Sequence, residues 1–438
     1  MPNQLAEDSL AHAFSLAAEA IAAVIAGRSL DVALAECWRA HGSLAAATRG
    51  AVQDLSYGAL RRYARGDFFL QKLLHVPLRE TRLRALLLAA LYRLAQRPED
   101  SHTTVDQAVS AASSIRRGKY TALANALLRS YLRRRAELEA AADAETSALY
   151  RHPDWWITLL REGYPDDWQA ILAAGNERPQ MSLRVNRRRS DVDSYLRELR
   201  DQGIEARALD DSAILLPQPV PVVRLPGFAE GRVSVQDWGA QQAAPLLAAR
   251  DGMRVLDACA APGSKSAHLL ELADIDLLAL DVDAGRAARI GSSLERLGLT
   301  ARIGVADCRS LDLWWDGRPF QRVLADLPCS ASGVVRRHPD SKWLRRANDL
   351  VGFAAMQAEI LDALWRVLAP DGKMLYCTCS VFPQENAQQL AAFAQRHQDA
   401  VLLPTGPAGR PGEQHWQLLP QREHDGFFYA LLWKRGSP

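Results

Sequence analysis

Residues 254–265 read RVLDACAAPGSK, and this stretch decides the fold of the C-terminal half of the chain. Residues 254–257 form a short apolar strand candidate, and the small residues after them predict a tight turn before a helix. Such a turn lets a ligand approach the backbone and the helix N-terminus. It matches neither the GxGxxG pattern of dinucleotide-binding loops nor the GxxxxGK[ST] pattern of a P-loop. We therefore predict a nucleotide-type loop of another kind, with a plain tight turn as the alternative.

The alternation of strand and helix continues through residues 233–438. Further short apolar strands are predicted at 277–281, 301–305, 322–326 and 374–377. Helices are predicted between them, for example at 284–297 and 356–368. This rhythm is typical of a doubly wound parallel sheet in a Rossmann-like α/β domain.

Residues 1–140 predict a different kind of domain, an all-α bundle. Segments 81–95 and 120–135 place apolar residues at helical spacing, with basic residues on the remaining surface. The charge pattern by itself favours solvated bundle helices, with an RNA-binding face as the alternative.

Residues 145–232 predict a small α/β linker module between the bundle and the third domain, 233–438. Residues 181–186 alternate as a half-buried strand, and a helix capped by Asp191 follows. The basic run at 187–189 fits either a contact with a phosphate backbone or an exposed turn.

The composition is that of an ordinary multidomain globular protein. The chain has 438 residues, of which 48% are hydrophobic and 24% charged, with a formal net charge of +2. These values argue against disorder. Residues 1–150 carry 19 Lys and Arg against 15 Asp and Glu, which favours an anionic partner for the first third.

Membrane, export and metal-binding functions find no support in the sequence. The longest stretches without a charged residue are about twelve residues, short of the ~20 that a transmembrane helix needs. Glu7 and Asp8 stand where a signal peptide would be positive. The six cysteines include no CxxC pair, so we expect free thiols, no metal and a cytoplasmic protein.

Acidic residues end the second and third predicted strands. Asp281 lies sixteen residues after Lys265, where a carboxylate can accept both hydroxyls of a ribose. Asp307 ends the next strand, in a position to reach an adenine. A single strand-end Asp is usually a helix cap, but the repetition in successive units favours a nucleotide site.

Two cysteines follow the next two strands. Asp326 begins the sequence DLPCS, which contains Cys329, and Cys379 lies in YCTCS. A buried free cysteine usually behaves as a small apolar residue. Two of them at the ends of adjacent strands, above a nucleotide site, instead suggest nucleophilic chemistry.

These motifs together resemble a known enzyme family. ACAAPGSK (258–265), DLPCSASGVVRRHPDSKWLRR (326–346), CTCSVFPQEN (377–386) and DGFFYA (425–430) look like the motif set of S-adenosylmethionine-dependent RNA cytosine-5 methyltransferases. The first third resembles NusB-type RNA-binding domains. The combination is similar to the bacterial Sun/RsmB (Fmu) family, which methylates C5 of cytosine 967 in 16S ribosomal RNA. The resemblance covers nearly the whole chain.

The resemblance implies a role for each motif. Asp281 would hold the cofactor ribose, Asp307 the adenine end, and Asp326 would lie between the cofactor and the target base. Cys379 would be the nucleophile and Cys329 would assist product release. The loop around the methionine part of the cofactor would comprise Cys259, Ala260, Ala261, Pro262, Gly263, Ser264 and Lys265.

The chemistry explains why these residue types are needed. C5 of cytosine is a weak nucleophile until a thiolate adds to C6, and a protonated Asp326 donating to N3 would assist that addition. Lys265 is the nearby cation that would favour the thiolate of Cys379. The target base must also be unpaired or flipped out of its helix.

A basic stretch follows Cys329 and is interpreted as a contact with the RNA strand, with a solvated helix as the alternative. Its members are Arg336, Arg337, His338, Lys342 and Arg345.

The chain departs from the family pattern at four positions. Ser264 replaces a second glycine of the loop, and Leu327 replaces an alanine. Cys308 replaces a frequent glycine, and Cys377 adds a thiol two residues before the proposed nucleophile. None removes a required functional group, so these departures bear on cofactor geometry more than on the reaction.

Three functions compete at this stage. The first is methylation of 16S ribosomal RNA, free or in an early small-subunit particle, by a monomer. The second is methylation of transfer RNA by the same catalytic core. The third is a non-catalytic NusB-type RNA-binding scaffold, which would not need Asp326, Cys329 and Cys379 together.

Overall fold

The computed structural model describes residues 5–406 and 414–436. Contacts divide the chain into two units. The first, the helical unit, comprises Met1–Asn176 and Val335–Arg346, and the second, the sheet unit, comprises Glu177–Val334 and Ala347–Pro438. This division differs from the boundaries predicted at residues 140 and 145, because the helical unit extends further and includes a distant segment.

The helical unit is built from α-helices, as predicted. The predicted helix at 81–95 is confirmed as the fifth of them and is buried along most of its length. Apolar residues at helical spacing pack these helices around one core. Before residue 177 the helices are α1 (Leu10–Ile25), α2 (Leu30–Ala40), α3 (Ala46–Arg61), α4 (Tyr63–Leu73), α5 (Thr81–Gln96), α6 (Ser101–Ala112), α7 (Thr121–Arg133), α8 (Arg135–Asp143), α9 (Thr146–Tyr150), α10 (Asp154–Gly163) and α11 (Trp168–Asn176).

The sheet unit begins with a small antiparallel sheet in the order β2-β3-β1-β4. Its strands are β1 (Met181–Val185), β2 (Arg207–Ala208), β3 (Ala213–Leu216) and β4 (Val233–Val235), with α12 (Val192–Asp201) between β1 and β2. Asp191 caps α12 through Ser194 N, as predicted. The prediction that β1 is half-buried is wrong, because all five of its residues are buried.

The second sheet has eight strands, and its parallel part confirms the doubly wound prediction. Its order is β10-β12-β9-β8-β5-β6-β7, with β11 paired to β12. The strands are β5 (Arg254–Ala258), β6 (Asp276–Asp281), β7 (Arg302–Val305), β8 (Phe320–Asp326), β9 (Leu368–Thr378), β10 (Ala400–Leu403), β11 (Trp416–Leu418) and β12 (Phe427–Lys434). The remaining helices are α13 (Trp238–Gln241), α14 (Ala243–Leu247), α15 (Ser264–Leu272), α16 (Ala284–Leu297), α17 (Ser341–Leu344, in the helical unit), α18 (Asp349–Val367) and α19 (Ala387–Arg396).

The strand order places the candidate site. From β5 the chain continues to β6 and β7 on one side, and then returns to β8 on the other side of β5. Ligands of doubly wound sheets bind at such a reversal, beyond the carboxyl ends of the strands. The loops after β5, β8 and β9 carry the predicted site residues, so the topology brings them to one edge.

No helix in the described ranges is both long and apolar enough to cross a membrane.

Candidate active site

The loop after β5 has the geometry of a ligand cradle. Gly263 has a φ of +96°, and a Cβ on it would lie 3.0 Å from the Ile290 backbone, so only glycine fits here without strain. It precedes α15 without providing a side-chain cap to that helix. The helix N-terminus is therefore available to an anionic group such as an amino-acid carboxylate.

Asp257 is a site residue that the sequence reasoning missed. It is fully buried at the end of β5 and accepts a 2.5 Å hydrogen bond from Ser266 Oγ. Burial raises its pKa to about 7 against this hydrogen bond. Its Oδ1 has no partner among the described residues, which fits a donor group from a bound ligand. A charged residue inside an apolar strand was the available signal.

Asp281 lies at the end of β6 beside this loop, as predicted. Its Oδ1 accepts hydrogen bonds from Arg286 Nη2 at 2.7 Å and from Asp283 N at 3.0 Å. Its Oδ2 accepts one from Ala261 N at 3.3 Å. The buried carboxylate is thus tied to the loop, and the half-exposed Arg286 side chain can withdraw from it.

The residues after β7 complete this edge of the site. Asp307 is paired with Arg309 at 2.6 Å, and its Oδ1 accepts Arg309 N. Cys308 forms a hydrogen bond with Cys259 of the loop, which together with burial raises the pKa of Cys259 well above its usual value. Cys308 therefore joins the loop after β7 to the loop after β5.

Lys265 and Asp326 form an ion pair across the site. Lys265 Nζ lies 2.6 Å from Asp326 Oδ2, and both side chains are largely buried. Burial is the largest single effect and lowers the pKa of Lys265, but Asp326, Cys377 and Cys379 together raise this pKa above its usual value. In this ion pair Lys265 Nζ is the donor and Asp326 Oδ2 the acceptor. The role of Asp326 expected from the sequence stays a prediction.

Cys329 and Cys379, the two cysteines singled out in the sequence, lie in contact. Cys329 Sγ lies 3.4 Å from Cys379 Sγ, and all six cysteines of the chain are free thiols. The pKa of Cys329 is raised well above its usual value by its hydrogen bond with Cys379, by burial and by the charge of Glu385. Cys377 instead points at Asp326, with its Sγ 3.5 Å from Oδ1. The topology therefore produces one close thiol pair beside the Lys265–Asp326 ion pair.

The DGFF motif supports the loop that carries Cys329. Gly426 N donates to Gly333 O at 2.9 Å, and Gly333 N donates to Cys379 O at 2.8 Å. A Cβ at Gly333 would collide with the Gly426 backbone. Glycine at both positions therefore allows the loops after β8, β9 and β11 to pack backbone against backbone.

Two of the five predicted RNA contacts are wrong, since a buried side chain cannot touch an RNA strand. Arg336 is 1% exposed and Lys342 is 0% exposed. Lys342 Nζ donates to Arg151 O at 3.0 Å, to Asn176 Oδ1 at 2.9 Å and to Arg61 O at 3.4 Å. These oxygens belong to residues near the ends of helices, where the Lys342 amino group satisfies acceptors that would otherwise be unpaired. Burial lowers the pKa of Lys342 well below its usual value.

The other three residues of that stretch keep some exposure. Arg337 and Arg345 are half-buried, and His338 is exposed with its Nδ1 3.5 Å from Asp31. Their contact with RNA stays a prediction.

Lys342→Met should destabilise the helical unit without changing how the protein's RNA affinity depends on salt. Three buried acceptors lose their donor, at a cost of about 2–4 kcal/mol in the free energy of unfolding. Denaturant unfolding followed by circular dichroism measures this, with the exposed Lys72→Met as the matched control. If the variant kept wild-type stability and its RNA affinity fell less steeply with salt, Lys342 would instead be a phosphate contact.

The basic residues of the small sheet are structural. Arg184, 1% exposed, forms a bidentate ion pair with Glu271 of α15 at 2.8 and 2.9 Å, and also donates to Ser264 O at 3.0 Å. Arg188 Nε donates to Glu271 O at 3.0 Å, and Arg189 Nη2 to Leu297 O at 2.7 Å. The run at 187–189 is an exposed turn, one of its two predicted alternatives. Arg188 and Arg189 donate from it to carbonyls near the C-terminal ends of α15 and α16.

Three family models match successive parts of the chain. Residues 13–133 match the NusB family, and residues 152–223 match the ferredoxin-like domain of RsmF/B-like methyltransferases. Residues 244–433 match the family described as 16S rRNA methyltransferase RsmB/F.

Curated relatives extend the match over the whole chain. Ribosomal RNA small subunit methyltransferase B of Salmonella arizonae is 41% identical over 427 residues, covering 96% of this chain and 98% of the relative. The protein of the same name from Vibrio cholerae is 43% identical over 390 residues, covering 88% and 89%. The chain belongs to the RsmB/F family of rRNA methyltransferases.

Solved structures show that this family fold is shared more widely. The crystal structure of PH0851 has a TM-score of 0.81 at 24% identity, covering 99% of this chain and all of that one. A methyltransferase homologue from Pyrococcus horikoshii has a TM-score of 0.58 at 23% identity, covering 66% of this chain and 97% of its own. Because the RsmB/F family consists of rRNA methyltransferases, membership argues for an enzyme and against the non-catalytic RNA-binding scaffold.

Proposed function

We propose that the protein methylates C5 of a cytosine in 16S ribosomal RNA, through a covalent bond between Cys379 and C6 of the base. The observation that carries this proposal is the close thiol pair, Cys329 and Cys379, beside the Lys265–Asp326 ion pair. A structural role for two thiols would not require a charged pair next to them.

The protein's own residues account for each change in the base. The Cys379 thiolate adds to C6. The π electrons of the C5=C6 bond then move onto C5, and the negative charge is shared with N3 and O2 of the ring. Lys265, through its pair with Asp326, supplies the proton donor that stabilises the negative charge at N3 and O2. After C5 has gained its methyl group, Cys329 in its thiolate form takes the C5 proton, the C5=C6 bond re-forms, and the bond to Cys379 breaks so that Cys379 leaves as a thiolate. The raised pKa of Cys329 makes its conjugate base a stronger proton acceptor.

The cofactor of the proposal is S-adenosylmethionine, which when bound supplies the electrophilic methyl group. The uncapped start of α15 and Asp257 Oδ1 suit its carboxylate and ammonium. Asp281 would hold the ribose hydroxyls and Asp307 the adenine. The cradle residues Cys259 to Lys265 would surround its methionine part. These assignments give each part of a sulfonium nucleoside a complementary group.

The substrate proposal rests on the relatives. Proteins more than 40% identical over most of the chain are named for the small ribosomal subunit. We therefore favour 16S ribosomal RNA, at cytosine 967, as free RNA or in an early subunit particle in the cytoplasm, over transfer RNA.

Tritium transfer from labelled S-adenosylmethionine to total bacterial RNA tests the proposed function. Nuclease mapping should place the label on C5 of one cytosine of 16S RNA. Label in transfer RNA would support the second candidate, and absence of label from all RNA would refute both.

Asp281→Ala should weaken S-adenosylmethionine binding by on the order of 10–100-fold, because a charge-assisted hydrogen bond contributes ~1.5–3 kcal/mol. Calorimetry measures this directly. Asp283→Ala is the matched control, since Asp283 caps the neighbouring helix α16 through Arg286 N. Unchanged affinity in a folded Asp281→Ala variant would contradict the ribose assignment.

A further inference from the structure

A buried carboxylate lies behind the two thiols, and the catalytic scheme above does not use it. Glu385 is 0% exposed and follows β9 in a single 3-10 turn, Pro383–Glu385. Its Oε1 accepts Ser330 N at 2.8 Å, and its Oε2 accepts Ser330 Oγ at 2.5 Å and Ser380 Oγ at 2.6 Å. Each serine directly follows one of the two cysteines, Cys329 or Cys379.

Further hydrogen bonds make this arrangement rigid. Ser332 Oγ lies 2.9 Å from Ser380 Oγ and accepts Val381 N at 2.8 Å. Gln357 of α18 donates to Pro328 O at 2.9 Å and to Glu385 Oε1 at 3.3 Å. Gln357 therefore holds the backbone before Cys329, and Glu385 holds the backbone after it. Glu385 also holds Ser380, the residue after Cys379.

The charge of Glu385 is costly to bury and is balanced by neutral donors. Burial raises the pKa of Glu385, and the hydrogen bonds from Ser330 and Ser380 oppose this rise. An ionised carboxylate is acceptor-only, and the groups facing it donate. This network has one arrangement in which every donor finds an acceptor. An uncharged amide in place of the Glu385 carboxylate would put an N–H group against one of the donors.

We propose that Glu385 is a positioning residue that fixes the distance between the Cys329 and Cys379 thiols and their relative reactivity, through Ser330 and Ser380. The proposal rests on the proposed function for its catalytic meaning, since those two thiols act in successive steps there. The reactivity of the two thiols, which the proposal predicts, can be measured without catalytic turnover.

The titratable groups around the pair are few. Cys329 faces Cys379 and the Glu385 carboxylate. Tyr376 of β9 donates to Glu385 O, and burial raises its pKa well above the usual value, so it stays neutral. Lys265 and Tyr429 of β12 lie within electrostatic reach of Cys379, and burial keeps Tyr429 neutral by raising its pKa well above the usual value. Cys377 Sγ contacts Asp326 Oδ1 at 3.5 Å. Removal of the Glu385 charge should therefore act mainly on Cys329.

The experiment compares Glu385→Gln with wild type by thiol reactivity. Methyl methanethiosulfonate, a small thiol reagent, is applied over a pH series, and modification of the Cys329 and Cys379 peptides is followed by mass spectrometry. We expect the Cys329 rate at pH 7 to rise about 3–10-fold, because a pKa lower by half to one unit increases the thiolate fraction by that factor. Ser380→Ala in the Glu385→Gln background should add little, because both act through one network.

Steady-state kinetics supplies the second measurement. For Glu385→Gln we expect kcat to fall about 10–100-fold, KM for RNA and for cofactor to stay within about threefold, and the pH–rate profile to shift toward acid. A merely structural role would lower the folded fraction and leave thiol reactivity and the pH profile of the folded enzyme unchanged, which would overturn the proposal. An inactive wild type whose Cys329 reactivity still responds to Glu385→Gln would refute the proposed function alone.

Discussion

Cys329→Ala should leave the enzyme covalently attached to its RNA, whereas Cys379→Ala should give neither product nor attached complex. The sulfur atoms lie 3.4 Å apart, so both can reach one base, yet their roles differ. Without Cys379 no bond to C6 forms and C5 is never activated. Without Cys329 the base is methylated once, and the C5 proton then stays in place, so the Cys379 adduct cannot eliminate.

Denaturing gel electrophoresis with labelled RNA and cofactor separates these outcomes. Cys329→Ala should run as a slow, doubly labelled band, and the double variant should lose that band. Cys37→Ala, a half-buried thiol of the helical unit, is the control and should behave as wild type. A band from Cys379→Ala alone would exchange the two roles, and two active variants without bands would refute covalent catalysis through these residues.

Asp326→Asn should lower kcat by about 10²–10⁴-fold, because it removes the partner that orients the proton donor Lys265 against the base. It should also cost about 1–3 kcal/mol of stability, since it leaves a largely buried ammonium unpaired. The pKa of Lys265 is raised above its ordinary 10.5, so this stabilisation is fully present below about pH 10.5. It is lost only as pH rises through the higher folded value.

A neutral double variant distinguishes catalysis from stability. Lys265→Met combined with Asp326→Asn removes both charges, so unfolding experiments should show stability restored toward wild type. Methyl transfer should remain at the level of the single variant. Recovery of activity together with stability would show that the pair serves folding only.

The order of motifs along the chain determined much of this protein. Apolar runs of four or five residues alternating with helical periods predicted β5 to β9, because strand and helix periodicities are local properties of sequence. The positions of Asp281, Asp326, Cys329 and Cys379 after those strands then followed from parallel topology, which brings their carboxyl ends to one edge.

Tertiary structure alone decided which charged side chains face solvent. Lys342 and Arg336 stand in a basic stretch that is typical of RNA contacts, yet the carbonyls that bind Lys342 come from residues 166 to 281 positions away in the chain. Arg184 and Glu271 are likewise 87 positions apart. The spacing of apolar residues cannot predict such partners, because a charged side chain is buried only where groups distant in the sequence lie close enough to bond with it. For the same reason, Glu385 was an ordinary acidic residue in the sequence and became the centre of the thiol site only when two loops met around it.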